Sequence, residues 1–442
     1  MNLNAIAKRF RLQERGTNVK TEVLAGLTTF VTMAYILIVQ PNAIMGGNAT
    51  MVDADGVLLT KEAIMVSCAL VSGIITILMG LYADMPFALS TGLGSNFMFG
   101  AMIQTGTCSL GRAMAITLIS GIIFVILSLV GIRDLIVRMM PKCLKLAIGC
   151  SIGFFIAYIG FKNSGIGSYT NGISMGNFKD PAVLLAIFGL FLIATLTAFK
   201  VNGAILIGIF AVTLIGIPMG ITTLPSQLVS VPSLENLGSL IFNFDFKGFF
   251  QPETFVLMFI VFVGDFFSTL GTVLGVGGKA GMLDENGDLP NIQKPFLVDA
   301  IGTVVGACTG NTTITTFVES SAGVEAGGRT GLTAVVTGLL YLCSFFVAPI
   351  FLMVPNATGP ALIFVGFLMV GGIVNVDFSD FTEAFGPFVM IMASAFMGSI
   401  AVGIAAGILS YLFIKVVTGK FKEIHPGMYV LAVPLIMYFI FN

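Results

Sequence analysis

Long apolar stretches follow one another along this chain with almost no charge inside them, and that leaves few folds open. At roughly 20 residues per bilayer crossing they number about fourteen. The first half reads 22–45, 62–82, 85–104, 113–132, 143–160, 181–199 and 201–218; the second reads 254–276, 295–309, 311–326, 331–354, 359–375, 385–398 and 399–416. A further apolar run, 428–441, stands outside that count as a re-entrant or interfacial segment, or as a sign that an earlier helix is wrongly split. In lipid every backbone polar group needs an internal partner, so stretches of this length must be helical. Of the 442 residues, 56% are hydrophobic and 10% charged, which excludes a soluble globular enzyme. A formal net charge of -1 gives no basic field for nucleic acid. The expected fold is an all-α polytopic membrane protein.

Lysine and arginine set the expected orientation. Lys8, Arg9, Arg11, Arg15 and Lys20 precede the first span. Arg133, Arg138, Lys142 and Lys145 follow the fourth, Lys200 the sixth, Arg329 the tenth, and Lys415, Lys420 and Lys422 the fourteenth. All fall on one side, so the positive-inside rule places the N-terminus in the cytoplasm and the protein in the cell membrane. The basic, amphipathic leader is expected to lie against the membrane surface. Residues 1–218 then form a first repeat of seven spans, 219–253 an external linker, and 254–442 a second repeat of opposite topology.

Two spans are interrupted at corresponding places. Span three carries Pro86, Gly92 and Gly94, and span ten carries the polar run GNTTITT. Irregular backbone at membrane depth is tolerated where it lines protein or a cavity, so these breaks point to a ligand site between them. A short antiparallel β pair could join them. Lone acids mark the same region. Asp265 is the only charge from Thr254 to Gly278, and Glu319 the only one from Ile301 to Val324. Ser268, Thr269 and Thr272 share a helical face with Asp265; on a helix, Thr315 and Thr316 would share one with Glu319. Buried carboxylates can accept hydrogen bonds from a polar ligand and exchange a proton. The alternative for each acid is a packing hydrogen bond between helices. Gly94 and Asn96 supply the opposite wall, a close backbone approach and an amide.

Other patterns carry little. None of the six cysteines forms a CxxC pair, and the one histidine, His425, lies in a basic loop, which leaves no metal or hydrolytic constellation. The run GVGGKA at 275–280 reads as solvated loop, and Glu325 with Arg329 as an interfacial ion pair.

The segments FVTMAYILIVQPNAI at 30–44, GDFFSTLGTVLG at 264–275 and TTITTFVESSAGVEAGGRTGLTAV at 312–335 resemble the nucleobase/cation symporter-2 family, in particular its azaguanine-like purine permease branch. The resemblance runs through nearly the whole chain. It implies two inverted seven-span repeats, sorted into a core domain (spans 1–4 and 8–11) and a gate domain (spans 5–7 and 12–14). It also implies proton-coupled import of hypoxanthine, guanine or adenine, with no cofactor beyond the proton gradient. By residue, Asp265 and Glu319 match the acids that hold the base and couple the proton, and Asn96 matches the asparagine of span three. Thr316 and Phe317 match the positions before the second acid. Phe97 and Phe317 would cover the faces of the base, beside Gly94. The sequence departs from the branch at Ser268, where a second acid is usual, and at Ser95 and Phe97. The preferred base, proton versus sodium coupling and a homodimer all stay open. The competing carriers are one for uracil or xanthine and, with no arginine at depth to support it, an anion exchanger.

Overall fold

A computed structural model of the protein describes residues 7–441 apart from 131–138, 170–172, 223, 225–226, 228, 230–233, 248, 285–288 and 353–357. Arg133 and Arg138, used above for orientation, lie outside the described residues. Nine described helices are long and apolar enough to cross a membrane. They make span one (Val19–Met33 and Ile36–Met45), two (Lys61–Leu78, running into a wider turn at Met79–Ala83), four (Leu110–Val130), five (Lys142–Asn163) and six (Pro181–Ala198). They also make eight (Pro252–Lys279), eleven (Gly331–Ser344, continued to Leu352), twelve (Thr358–Val370, continued to Asn375) and fourteen (Ile400–Val417). Spans seven (Ala204–Gly216), nine (Gln293–Cys308) and thirteen (Phe381–Phe396) are shorter helices. Spans three and ten are broken.

The packing obeys the expected symmetry. Span four packs on nine and two on eleven; five lies along twelve; six pairs with seven, and thirteen with fourteen. Moving every span number by seven turns this set of pairs into itself, as two inverted repeats require. Spans five and twelve cross closely. A Cβ on Gly153 would stand 2.7 Å from the Gly366 carbonyl oxygen, and one on Gly366 would stand 2.5 Å from that of Gly153. Small residues at such a crossing let backbones touch where lipid supplies no hydrophobic drive. Spans four, eight and nine are joined by three buried rings. Phe266 lies 5.6 Å from Phe124 and 5.4 Å from Phe296, centroid to centroid.

The two breaks meet at the centre. Strand β1 (Leu89–Thr91) of span three pairs antiparallel with strand β2 (Ile314–Thr316) of span ten. The register is Leu89 to Thr316, Ser90 to Thr315 and Thr91 to Ile314. Two more bonds lengthen the ladder, Gly92 N to Thr313 O at 2.7 Å and Phe317 N to Ala88 O at 3.0 Å. Each strand is then held by one threonine. Thr76 of span two donates to Leu89 O and accepts from Leu89 N, both at 3.0 Å. Thr303 of span nine stands likewise to Ile314, at 3.2 Å and 3.1 Å. Two residues' worth of backbone that a helix would satisfy internally is thereby satisfied from outside. Beyond the strands the chain resumes as helix, Leu93–Gln104 after β1 and the short Ser320–Glu325 after β2.

Several expectations are corrected. Thr315 and Thr316 are in a strand and not on a helical face with Glu319, which sits at the N-cap of the short helix. Residues 275–279 continue the helix of span eight and are not loop. Glu325 pairs with Lys279 at 2.7 Å, while the Arg329 guanidinium donates to the carbonyls of Val324 and Gly328. The described part of the leader packs on protein, with Phe10 and Leu12 buried against Leu332 of span eleven. The run after span fourteen, left open by the sequence, is a helix, Pro426–Phe441, resting on spans eight and fourteen.

Candidate functional site

A cavity of about 400 Å³ opens beside the β pair. One wall is span eight, with Asp265, Ser268 and Thr272 on a single helical face. A second wall is the broken pair, with Gly94 and Ser95 from the start of the span-three helix and Thr315, Thr316, Phe317 and Glu319 from span ten. The far wall comes from other spans and is apolar except for Lys145: Lys145 and Ile152 of five, Val365 and Met369 of twelve, Ile400 and Ile404 of fourteen, with Lys145 Nζ 5.8 Å from the centroid of the Phe267 ring. The cavity thus lies at the seam between spans one to four with eight to eleven and spans five, twelve and fourteen.

The first turn of a helix has backbone N–H groups with no partner inside the helix. The span-three helix begins at Leu93, so the N–H groups of its first turn, beside Gly94 and Ser95, are at the cavity. Its positive end stands across from the acids of spans eight and ten. The site therefore offers donors from one repeat and acceptors from the other.

Behind the wall, threonines hold the acids. Thr303 Oγ1 is 2.8 Å from Asp265 Oδ2. Asp265 is 5% exposed. Asp299, from span nine, is fully buried and accepts from Thr269 Oγ1 at 2.8 Å and Thr316 Oγ1 at 3.0 Å. The same Thr269 hydroxyl lies 2.9 Å from that of Thr315, which lines the cavity beside Asp265. Each of the two keeps one oxygen, Asp265 Oδ1 and Asp299 Oδ2, with no protein partner. Glu319 is half-buried, and its Oε1 accepts from the Tyr35 hydroxyl at 2.7 Å. Tyr35 stands at the turn between the two helices of span one, Val19–Met33 and Ile36–Met45.

Six of the eight residues singled out from the sequence line the cavity: Asp265, Ser268, Gly94, Thr316, Phe317 and Glu319. Asn96 and Phe97 do not. Asn96 is buried behind the wall, donating to Thr91 Oγ1 at 2.9 Å and accepting from Thr312 Oγ1 at 2.5 Å. It clamps the two broken spans together. Phe97, 4% exposed, packs into the core and covers no face of the cavity. A long helix turns successive side chains by about 100°, so residues 94, 96 and 97 cannot all face one side. Asp299 and Tyr35 were missed. Asp299 is the sole acid in the apolar run FLVDAIGTVVGAC and would have been found by the criterion that picked out Asp265. Tyr35 carried no such signal.

A cavity enclosed by two sets of spans, at a break in each repeat, defines a membrane carrier of the seven-plus-seven inverted-repeat class. Solved structures share the fold. The transmembrane domain of a cyanobacterial bicarbonate transporter, BicA, matches with a TM-score of 0.61 at 15% identity, over 88% of this chain and 97% of that one. The structure of SLC26A9 matches with a TM-score of 0.60 at 11% identity, over 90% of this chain and 66% of that one. The chain belongs to the xanthine/uracil permease family, the nucleobase/cation symporter-2 family, whose model, described as a permease family, matches residues 20–408. It is 38% identical to the guanine/hypoxanthine permease PbuG of Bacillus subtilis over 98% of this chain and 99% of that protein. It is 34% identical to the adenine permease AdeP of Escherichia coli over 98% of this chain and 95% of that protein. The protein is a multi-pass membrane transporter and not an enzyme.

Proposed function

We propose that the protein imports a purine nucleobase, hypoxanthine or guanine before adenine, by proton symport. The observation that carries this is the division of the cavity into acceptors and donors. A neutral oxopurine presents ring N–H groups and acceptors in one plane. Asp265 and Glu319 accept the former, and the N–H groups at the start of the span-three helix face the latter. Phe317 and the apolar residues of spans twelve and fourteen fit its faces. The names of PbuG and AdeP support a purine as the cargo.

Two neighbouring buried carboxylates repel each other when both are ionised, and one shared proton removes the repulsion. Asp265 and Asp299, each with an unpartnered oxygen, are placed for such a proton. Ligand on Asp265 and proton on the pair would then be linked through one residue. Transport follows by alternating access, with spans 1–4 and 8–11 as the core moving against spans 5–7 and 12–14 as the gate, and the N-terminus in the cytoplasm. The proton gradient is the only energy source the reading requires.

The test is uptake of labelled hypoxanthine, guanine, adenine, xanthine and uracil in a host lacking its own carriers, with and without a protonophore and with sodium replaced. Accumulation of the purines that collapses with the protonophore is expected. Accumulation that follows sodium, or that is confined to uracil, would replace the proton or the purine in this reading.

A further inference from the structure

A second cavity, of about 490 Å³, lies on the side of the molecule where the described part of the leader packs. Four separate stretches wall it. The leader gives Arg11, Glu14 and Arg15, the turn after span two gives Asp84, the connection from eight to nine with the first turn of nine gives Asn291 and Lys294, and the connection from ten to eleven gives Arg329. Four cations thus face two carboxylates. Asp84 is shared, with Oδ2 3.2 Å from Arg11 Nη2 and 2.9 Å from Arg15 Nη2. Arg15 also donates to Arg329 O at 3.0 Å, which ties the leader to the ten–eleven connection. Lys294 Nζ stands 5.9 Å from the centroid of the Tyr82 ring. A concave surface with an excess of one charge focuses its field on a counter-ion.

The backbone gives an independent sign. Among the described residues five that are not glycine have positive φ, and three of them line this cavity: Arg11 at 50°, Asp84 at 54° and Asn291 at 57°. Asp84 and Asn291 take up this region readily, but for Arg11 it costs on the order of 1 kcal/mol or more, and such strain gathers at ligand clamps. The strained residue is thus one of the cations that line the cavity.

We propose that this cavity binds a phosphate-bearing anion, separately from the ligand of the central site. Guanidinium groups fit phosphate oxygens in pairs, and a lysine adds a mobile point charge. The phosphate belongs either to a soluble monoester or to an anionic lipid headgroup. A bound phosphate would bridge the leader to connections that end spans eight and ten, the two that carry Asp265 and Glu319. The inference does not depend on which cargo the carrier moves.

The test uses the full-length purified protein and its unfolding temperature. The probes are inorganic pyrophosphate, guanosine monophosphate and short-chain phosphatidylglycerol, against chloride at equal ionic strength and short-chain phosphatidylcholine. A saturable rise in unfolding temperature is expected with phosphate-bearing anions alone, and the probe that saturates at the lowest concentration identifies the source. In the double variant Arg11→Gln, Lys294→Gln, half-saturation should move up about tenfold or more, since each charged hydrogen bond carries roughly that factor. Arg15 still holds Asp84 there, so the fold is kept. Glu14→Gln should move half-saturation down. No rise above the chloride control, or a double variant that responds as the wild type does, would overturn the proposal.

Discussion

The three acids near the cavity differ in what holds them, and the difference separates their expected phenotypes. Glu319 meets one tyrosine and the cavity; Asp265 meets one threonine and the cavity; Asp299 meets two threonines and no cavity at all. Glu319→Gln and Asp265→Asn should therefore reduce uptake to background at near-normal expression, and normal uptake by either would remove that residue from the mechanism. Asp299→Asn should still bind hypoxanthine within about tenfold of wild type, because it gives the ligand no hydrogen bond. What it should lose is accumulation driven by an imposed pH gradient. Asn96→Ala is expected to act on stability instead. It strips the Thr91 and Thr312 hydroxyls of buried partners, at about 1–3 kcal/mol. A large fall in affinity with unchanged unfolding temperature would return Asn96 to the ligand.

At the scale of elements, the sequence was most readable where a single constraint acts. Lipid demands about 20 apolar residues per crossing, and every one of the fourteen stretches has its counterpart among the helices and half-helices. The interruptions at Gly92 and at Gly310–Thr313 were visible for the same reason, as polar or flexible residues where lipid forbids them. What lay beyond reach was conformation inside the breaks. Ile314-Thr315-Thr316 is β-branched throughout, which suits a strand, yet strand pairing depends on a partner far away in sequence. The helical reading put Thr316 beneath Glu319; the strand turns it instead toward Asp299. Asn96 was misplaced by the same step, since its role follows from the pair it clamps. The crossing of spans five and twelve gives a test at this scale. Gly153→Val should separate the two helices and abolish a monodisperse folded species, while Gly47→Ala, with nothing within 4 Å of its Cβ, should be silent. A well-folded Gly153→Val would mean that the crossing yields more than its backbone contact suggests.

For the molecule as a whole, the location of the cavity matters more than its lining. The acids sit on spans eight and ten and the free helix start on span three, while spans five, twelve and fourteen contribute a wall that is apolar apart from Lys145. Under the alternating access proposed above, relative movement of the two sets would change who can reach the ligand without dismantling the site. Met369, half-buried on span twelve, reports on this seam. Labelling of Met369→Cys by a small thiol reagent, measured above the wild-type background, should slow severalfold with saturating hypoxanthine. Equal labelling with and without the base would put the ligand elsewhere.

The central ladder also has a consequence for how such a chain is made. Leu89–Thr91 leaves the ribosome long before Ile314–Thr316 exists, so within the first repeat only Leu89, through Thr76, can have its native partner, and the strand-to-strand bonds must wait for span ten. The heart of the carrier can close only after most of the second repeat has been synthesised. Assembly of the binding site is thus a late event in biogenesis, and a chain cut short before span ten would be an inserted protein with an open seam at its centre.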